Sequence, residues 1–160
     1  MKFSERILKA RIAETVVSEM LKEAGYFVYR YGYEGLLQSL VQDGLPQMRK
    51  GDIEADKVRS MPDFLVMDKT GDVSFVEVKY REKREDEELR ERLGRAARYW
   101  QEAKVLIVYP TEPHFLISSF PVFAKTGKLY LLENDKFIKV PRKLIMDYSK
   151  LCKKYLIREQ

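Results

Sequence analysis

The chain has 160 residues, 45% of them hydrophobic and 34% charged, with a formal net charge of +5 and a pI near 9.2. That is enough for one domain with a real core and short for two, so a single domain over residues 1–160 is expected. No apolar run is long enough to span a bilayer and the N-terminus has no signal-peptide pattern, which excludes a membrane role and predicts a soluble, cytoplasmic protein.

In chain order, Phe3, Ile7, Ala10, Val17, Met20, Leu21 and Ala24 recur at three- and four-residue intervals. The spacing predicts an amphipathic helix from Phe3 to Ala24, with Ser4 as N-cap and Gly25 as stop. At about 100° per residue Glu14 falls inside the apolar arc, while Glu5, Glu19 and Glu23 fall on the opposite side. A carboxylate facing a core needs a partner, either a metal or a basic neighbour such as Arg11. Tyr26 to Tyr31, rich in aromatic and β-branched residues, reads as a strand. The aromatics from Tyr26 to Tyr33 around Arg30 also have the composition of a base-stacking platform, although strands favour aromatics in any case.

Glu34 to Gln42 predicts a short helix, and Asp43 to Ser60, polar and interrupted by Gly44, Pro46 and Gly51, predicts a loop. Two strands follow, Asp63 to Met67 and Val73 to Tyr80, joined by a turn at Thr70-Gly71-Asp72. A charged helix is expected from Glu82 to Ala103, with Leu89, Leu93, Ala96, Trp100 and Ala103 as its apolar stripe, then a strand from Val105 to Tyr109. Beyond these, Phe115 to Phe123, Lys128 to Leu132 and Phe137 to Val140 read as strands, with turns at 125–127 and 133–135. A last helix begins at Pro141, presenting Leu144, Ile145, Tyr148, Leu151, Cys152, Tyr155 and Leu156 on one face. Cys152, the only cysteine, cannot form an internal disulfide and reads as a small buried residue. His114, the only histidine, reads as an exposed loop residue, and one histidine is too few for histidine-dependent phosphodiesterase or zinc chemistry. No Gly-rich phosphate loop is present, which excludes nucleotide-driven motor activity.

The strand pair carries the chemistry. Glu77 and Lys79, two apart, share one face of their strand, and Asp63 stands at the head of the strand beside it. Carboxylates are the oxygen ligands that magnesium prefers, and one or two of them suffice to hold it. A lysine supplies a compact positive charge beside the reacting phosphate.

Pro62-Asp63 followed by Glu77-Val78-Lys79 resembles the PD-(D/E)xK nuclease superfamily of restriction endonucleases, Holliday junction resolvases and repair nucleases. The predicted order helix, strand, strand, strand, helix, strand resembles that superfamily's core and covers about residues 3–110. The resemblance implies an α/β fold with a restriction-endonuclease-like αβββαβ core, a mixed sheet flanked by helices, to which residues 115–158 add strands and a basic helix. It implies a Mg2+-dependent endonuclease, Mn2+ also serving, that hydrolyses DNA and leaves 5′-phosphate and 3′-hydroxyl ends. The metal ligands would be Asp63, Glu77, the carbonyl of Val78 and, from the first helix, Glu14; Lys79 would assist the attacking water. Dimers are common among such proteins, so a homodimer is an open expectation. The alternative is a non-catalytic nucleic-acid-binding or assembly module on the same fold.

Charge distribution adds candidate contacts. Residues 1–80 hold 12 basic and 13 acidic side chains, and residues 81–160 hold 18 and 12. The basic excess of the second half points to Arg95 and Arg98, whose helix follows the strand bearing Glu77 and Lys79, with Gln101 near its end. Lys150, Lys153 and Lys154 on the last helix are further candidates for phosphate contacts, or else an ordinary solvated face.

Overall fold

The computed structural model describes residues 3–33 and 52–157. Its elements are α1 (Phe3–Glu23), β1 (Phe27–Arg30), α2 (Ile53–Arg59), β2 (Phe64–Met67), β3 (Val73–Tyr80), α3 (Glu87–Ala96), β4 (Lys104–Val108), β5 (Phe115–Ser119), α4 (Phe120–Thr126), β6 (Tyr130–Leu131) and α5 (Arg142–Leu156). A single 3-10 turn, Leu132–Asn134, follows β6. The predicted helix from Glu34 to Gln42 lies outside the described residues, as does the loop from 43 to 51.

Six strands form one mixed sheet in the order β1-β2-β3-β4-β5-β6. Only β3 and β4 are parallel, as the crossover through α3 requires; the other neighbours are antiparallel. The protein is therefore α/β, with a six-stranded mixed sheet and, among the described residues, five α-helices. Alternation along β3 sends Ser74, Val76, Val78 and Tyr80 to one face. On that face Phe64, Val66, Val76, Val78, Leu106 and Val108 pack against Val17, Met20 and Leu21 of α1 and Cys152 and Leu156 of α5. On the other face Val105, Ile107 and Tyr109 pack against Leu89, Leu93 and Ala96 of α3 and Phe120 and Phe123 of α4. No helix among the described residues is long and apolar enough to cross a membrane.

Several expectations are corrected. Ser4 lies inside α1, one residue past its start, while Gly25 ends the turn after it at φ +99°, a conformation glycine adopts without strain. Residues 53–59, expected as loop, form α2, started by Asp52, whose Oδ1 accepts the Glu54 N–H at 3.2 Å. The charged helix is shorter than 82–103. It starts where Asp86 accepts the Leu89 N–H at 2.8 Å, and after Ala97 the chain turns so that Trp100 can pack edge-on against Phe75 and Tyr31. Phe115 to Phe123 is half strand and half helix, because Ser119 caps α4, Pro121 sits in its first turn and Gly127 closes it at φ +68°.

Phe137 to Val140 forms no strand, although Ile138 and Val140 are buried. Side chains replace the ladder: Asp135 Oδ1 accepts the N–H groups of Phe137 and Ile138 at 2.9 and 2.8 Å, and the Tyr26 hydroxyl donates to the Phe137 carbonyl at 2.9 Å. His114 is buried rather than exposed, its Nδ1 donating to the Tyr109 carbonyl at 2.7 Å. Cys152 is buried, and burial pushes its thiol up to about 12, which makes it inert at neutral pH. On α5, Leu151 and Tyr155 are exposed, so the buried stripe is narrower than the sequence pattern.

Candidate active site

The site forms at a notch in the sheet. Phe64 of β2 faces Val76 of β3, so residues 77 to 80 run past the start of β2 while still pairing with β4. Backbone groups on the open side of β3 have lost their ladder partner there and need another. Asp63, one residue before β2, supplies it. Its Oδ2 accepts the Val78 N–H at 2.8 Å, and its own N–H donates to Glu77 Oε2 at 3.2 Å.

Asp63 is itself fixed from behind. Its carbonyl accepts the N–H groups of Tyr31 and Gly32, at 2.9 and 3.3 Å, where the chain leaves β1. A Cβ on Gly32 would stand 3.3 Å from the Asp63 Cα and 3.5 Å from the Pro62 carbonyl oxygen, so this crossing is tight for any other residue. Glu77 and Lys79 project to the α3 side of the sheet, and the Lys79 ammonium pairs with Glu77 Oε1, the two side chains 19% and 13% exposed.

The Asp63 carboxyl is pushed from 3.8 up to about 7. Burial is the largest cause, followed by the charge of Glu77, with a smaller push from Glu14; Lys79 and the Val78 N–H pull the other way. Glu14 reaches the same cavity from α1, and Arg30, rather than Arg11, holds its Oε2 at 3.2 Å.

Among the described residues no three His, Cys, Asp or Glu side chains are grouped closely enough to hold a metal ion. The available ligands are the Asp63 and Glu77 pair. Two repelling carboxylates, one of them raised to about 7, form a donor set that a hard divalent cation would relieve, with water and phosphate completing its shell. The residues fit magnesium on that basis.

The cavity over these groups measures about 890 Å3. The sequence-derived candidates Asp63, Glu77, Lys79, Glu14, Arg95 and Arg98 all line it. Val78 contributes its backbone rather than its side chain, which lies in the core on the opposite face. Gln101 is exposed and does not line the cavity. Lys150, Lys153 and Lys154 are exposed on α5, in the other helical layer, where Lys150 pairs with Asp147 and Lys153 with Glu112.

Sequence reasoning missed Arg30 as a partner of Glu14 and Arg92 on the wall; Tyr31 and Tyr33, from the aromatic run around Arg30, line the cavity as well, as does Arg59. Two signals were present. Arg92 lies three residues before Arg95 and must share its helix face. An antiparallel β1–β2 pair brings the end of β1, hence residues 30 to 33, beside Asp63. Arg92, Arg95 and Arg98 enter no ion pair with any described residue, and all three are exposed.

No family model matches the chain, and no curated protein matches it.

Proposed function

We propose that the protein is a magnesium-dependent deoxyribonuclease, manganese serving in its place, built on the restriction-endonuclease-like core of the PD-(D/E)xK superfamily. One observation carries this reading: the sheet notch gathers Asp63, Glu77 and Lys79 in an open cavity that also holds three exposed arginines, Arg92, Arg95 and Arg98, which form no ion pair with any described residue. The order of α1, β1, β2, β3, α3 and β4, with β3 parallel to β4, supports the same core.

Asp63, Glu77 and the Val78 carbonyl would hold the cation, with Glu14 facing the same cavity. When bound, such an ion polarises the phosphoryl oxygen and lowers the pKa of water. The protein's own groups do the rest. Lys79 orients the attacking water and offsets charge building on the phosphate. Arg92, Arg95 and Arg98 grip the phosphodiester backbone, a task suited to forked guanidinium groups. The resemblance implies products with 5′-phosphate and 3′-hydroxyl ends.

A second reading has its own observation. The polar groups of the centre also satisfy one another, Lys79 with Glu77, Asp63 with Val78, Glu14 with Arg30, as a structural network in a binding or assembly module would. Incubating the protein with branched, duplex and single-stranded DNA, with and without magnesium, separates the two. Metal-dependent cutting of any form is expected. No cutting with either magnesium or manganese would remove the enzyme and leave the module.

A further inference from the structure

We infer that the strand taken by this cavity is unpaired: it accepts single-stranded DNA, or an unpaired stretch beside a duplex, and excludes the intact double helix. The cutting step rests on the nuclease reading above, whereas the binding preference does not.

Size is the first ground. The cavity holds about 890 Å3, small beside a double helix whose major groove alone is about 12 Å wide. One strand can enter such a volume, whereas a duplex can only lie across its mouth. Depth is the second. Glu77 and Lys79 are 13% and 19% exposed, whereas Arg92, Arg95 and Arg98 are exposed residues on the same cavity. The carboxylates are thus less exposed than the arginines on the same cavity, which favours a single, flexible backbone over a stiff duplex.

Aromatic lining is the third ground. Tyr31 and Tyr33, from the end of β1, and Tyr99, from the turn after α3, all line this cavity. Tyr31 is braced from behind, its ring centroid 5.1 Å from that of Phe75 and 5.8 Å from that of Trp100. In a duplex the base faces are already stacked on one another and have nothing to offer these rings. In a single strand each base has a free π-face, and aromatic side chains beside a cationic groove are the common means of holding it. Of the aromatics from Tyr26 to Tyr33, the chain delivers two to the cavity, while Phe27 and Tyr29 stay exposed on the edge strand.

The test measures binding of metal-free Asp63→Asn protein to a labelled single-stranded oligonucleotide and to a hairpin duplex of the same sequence. The single strand is expected to bind at least about tenfold more tightly, and Tyr99→Ala to lose about tenfold for the single strand alone, the loss of one stacked base. Tyr99→Phe, which keeps the ring, should bind as the parent does, so a folding defect in the alanine variant does not decide the matter. Equal or tighter duplex binding, or a Tyr99→Ala variant that folds and binds the single strand unchanged, would overturn the inference. With magnesium, wild-type protein that cuts duplex interior as fast as single strands also overturns it while leaving the nuclease reading intact. Failure to cut any form removes the nuclease reading and leaves the binding preference to be judged on its own.

Discussion

Asp63 does with one side chain what a strand does elsewhere: it takes the Val78 N–H, gives its own N–H to Glu77, and leaves its carboxyl in a poorly solvated place beside another carboxylate. The consequence is a pH dependence with a definite sign. Folded, this carboxyl keeps its proton up to about 7; unfolded, it releases it near 3.8. Between those values the folded state binds more protons, so metal-free protein should lose stability as pH rises through that window, by on the order of a few kcal/mol. Above about 7 the loss is complete. Asp63→Asn should flatten this dependence and raise the denaturation midpoint at pH 8, and magnesium should stabilise wild type more at pH 8 than at pH 5, because ion and proton compete for one carboxyl. Thermal denaturation at both pH values reads these effects; a D63N midpoint below wild type at pH 8 would contradict them. Asp63, Glu77 and Lys79 were legible in the sequence because strand alternation and a two-residue spacing fix their face. Arg30 was not legible as Glu14's partner, since their pairing joins a helix to the end of a strand 16 residues away.

Among the elements, α1, the β2–β3 pair, β4 and α5 are carried by long or regular apolar patterns and were readable as such. The short helices were not. Seven-residue segments such as α2 and α4 have too few hydrogen bonds to stand on propensity, so packing and caps decide them. For α4 the caps were in plain view, Ser119, Pro121 and Gly127, but Phe120 and Phe123 gave the segment a strand's composition. For α2 the decisive contact is remote: the Trp100 indole N–H donates to the Lys57 carbonyl at 3.1 Å, and the Lys57 ammonium lies 6.0 Å from its ring. This dock sets the cavity wall that carries Asp56 and Arg59. Trp100→Phe keeps an aromatic ring and removes the hydrogen bond, and should cost about 1 kcal/mol in chemical denaturation. An unchanged midpoint would mean that α2 is held by other contacts.

Over the whole molecule, charge and chemistry are separated by the sheet. The lysines of α5 lie in one helical layer and Arg92 and Arg95 of α3, with Arg98 in the turn after it, on the other side, with the carboxylate notch opening toward α3. The net charge alone pointed to both layers; among the described residues, Lys150 and Lys153 form ion pairs with acids and Arg92, Arg95 and Arg98 form none, which favours the arginine side for the proposed phosphate contacts. If those three arginines contact three phosphates of a single strand, each releases counterions, and log K against log salt should fall with a slope near about −2. Arg95→Ala should make the slope shallower by about 0.7, while changing Lys150 and Lys154 to Ala should leave it nearly as it was. The reverse pattern would move the nucleic-acid surface to α5.

On the proposed function, Asp63 belongs to a metal-dependent phosphodiester-cleaving centre. Its most direct measurement is the cleavage rate of a labelled single-stranded oligonucleotide in magnesium, wild type beside Asp63→Asn at the same pH. Cutting by wild type that stops on chelation is expected, with a loss of about a hundredfold or more in the variant. Cleavage at equal rates by both proteins, or cutting by wild type that survives chelation, would contradict it.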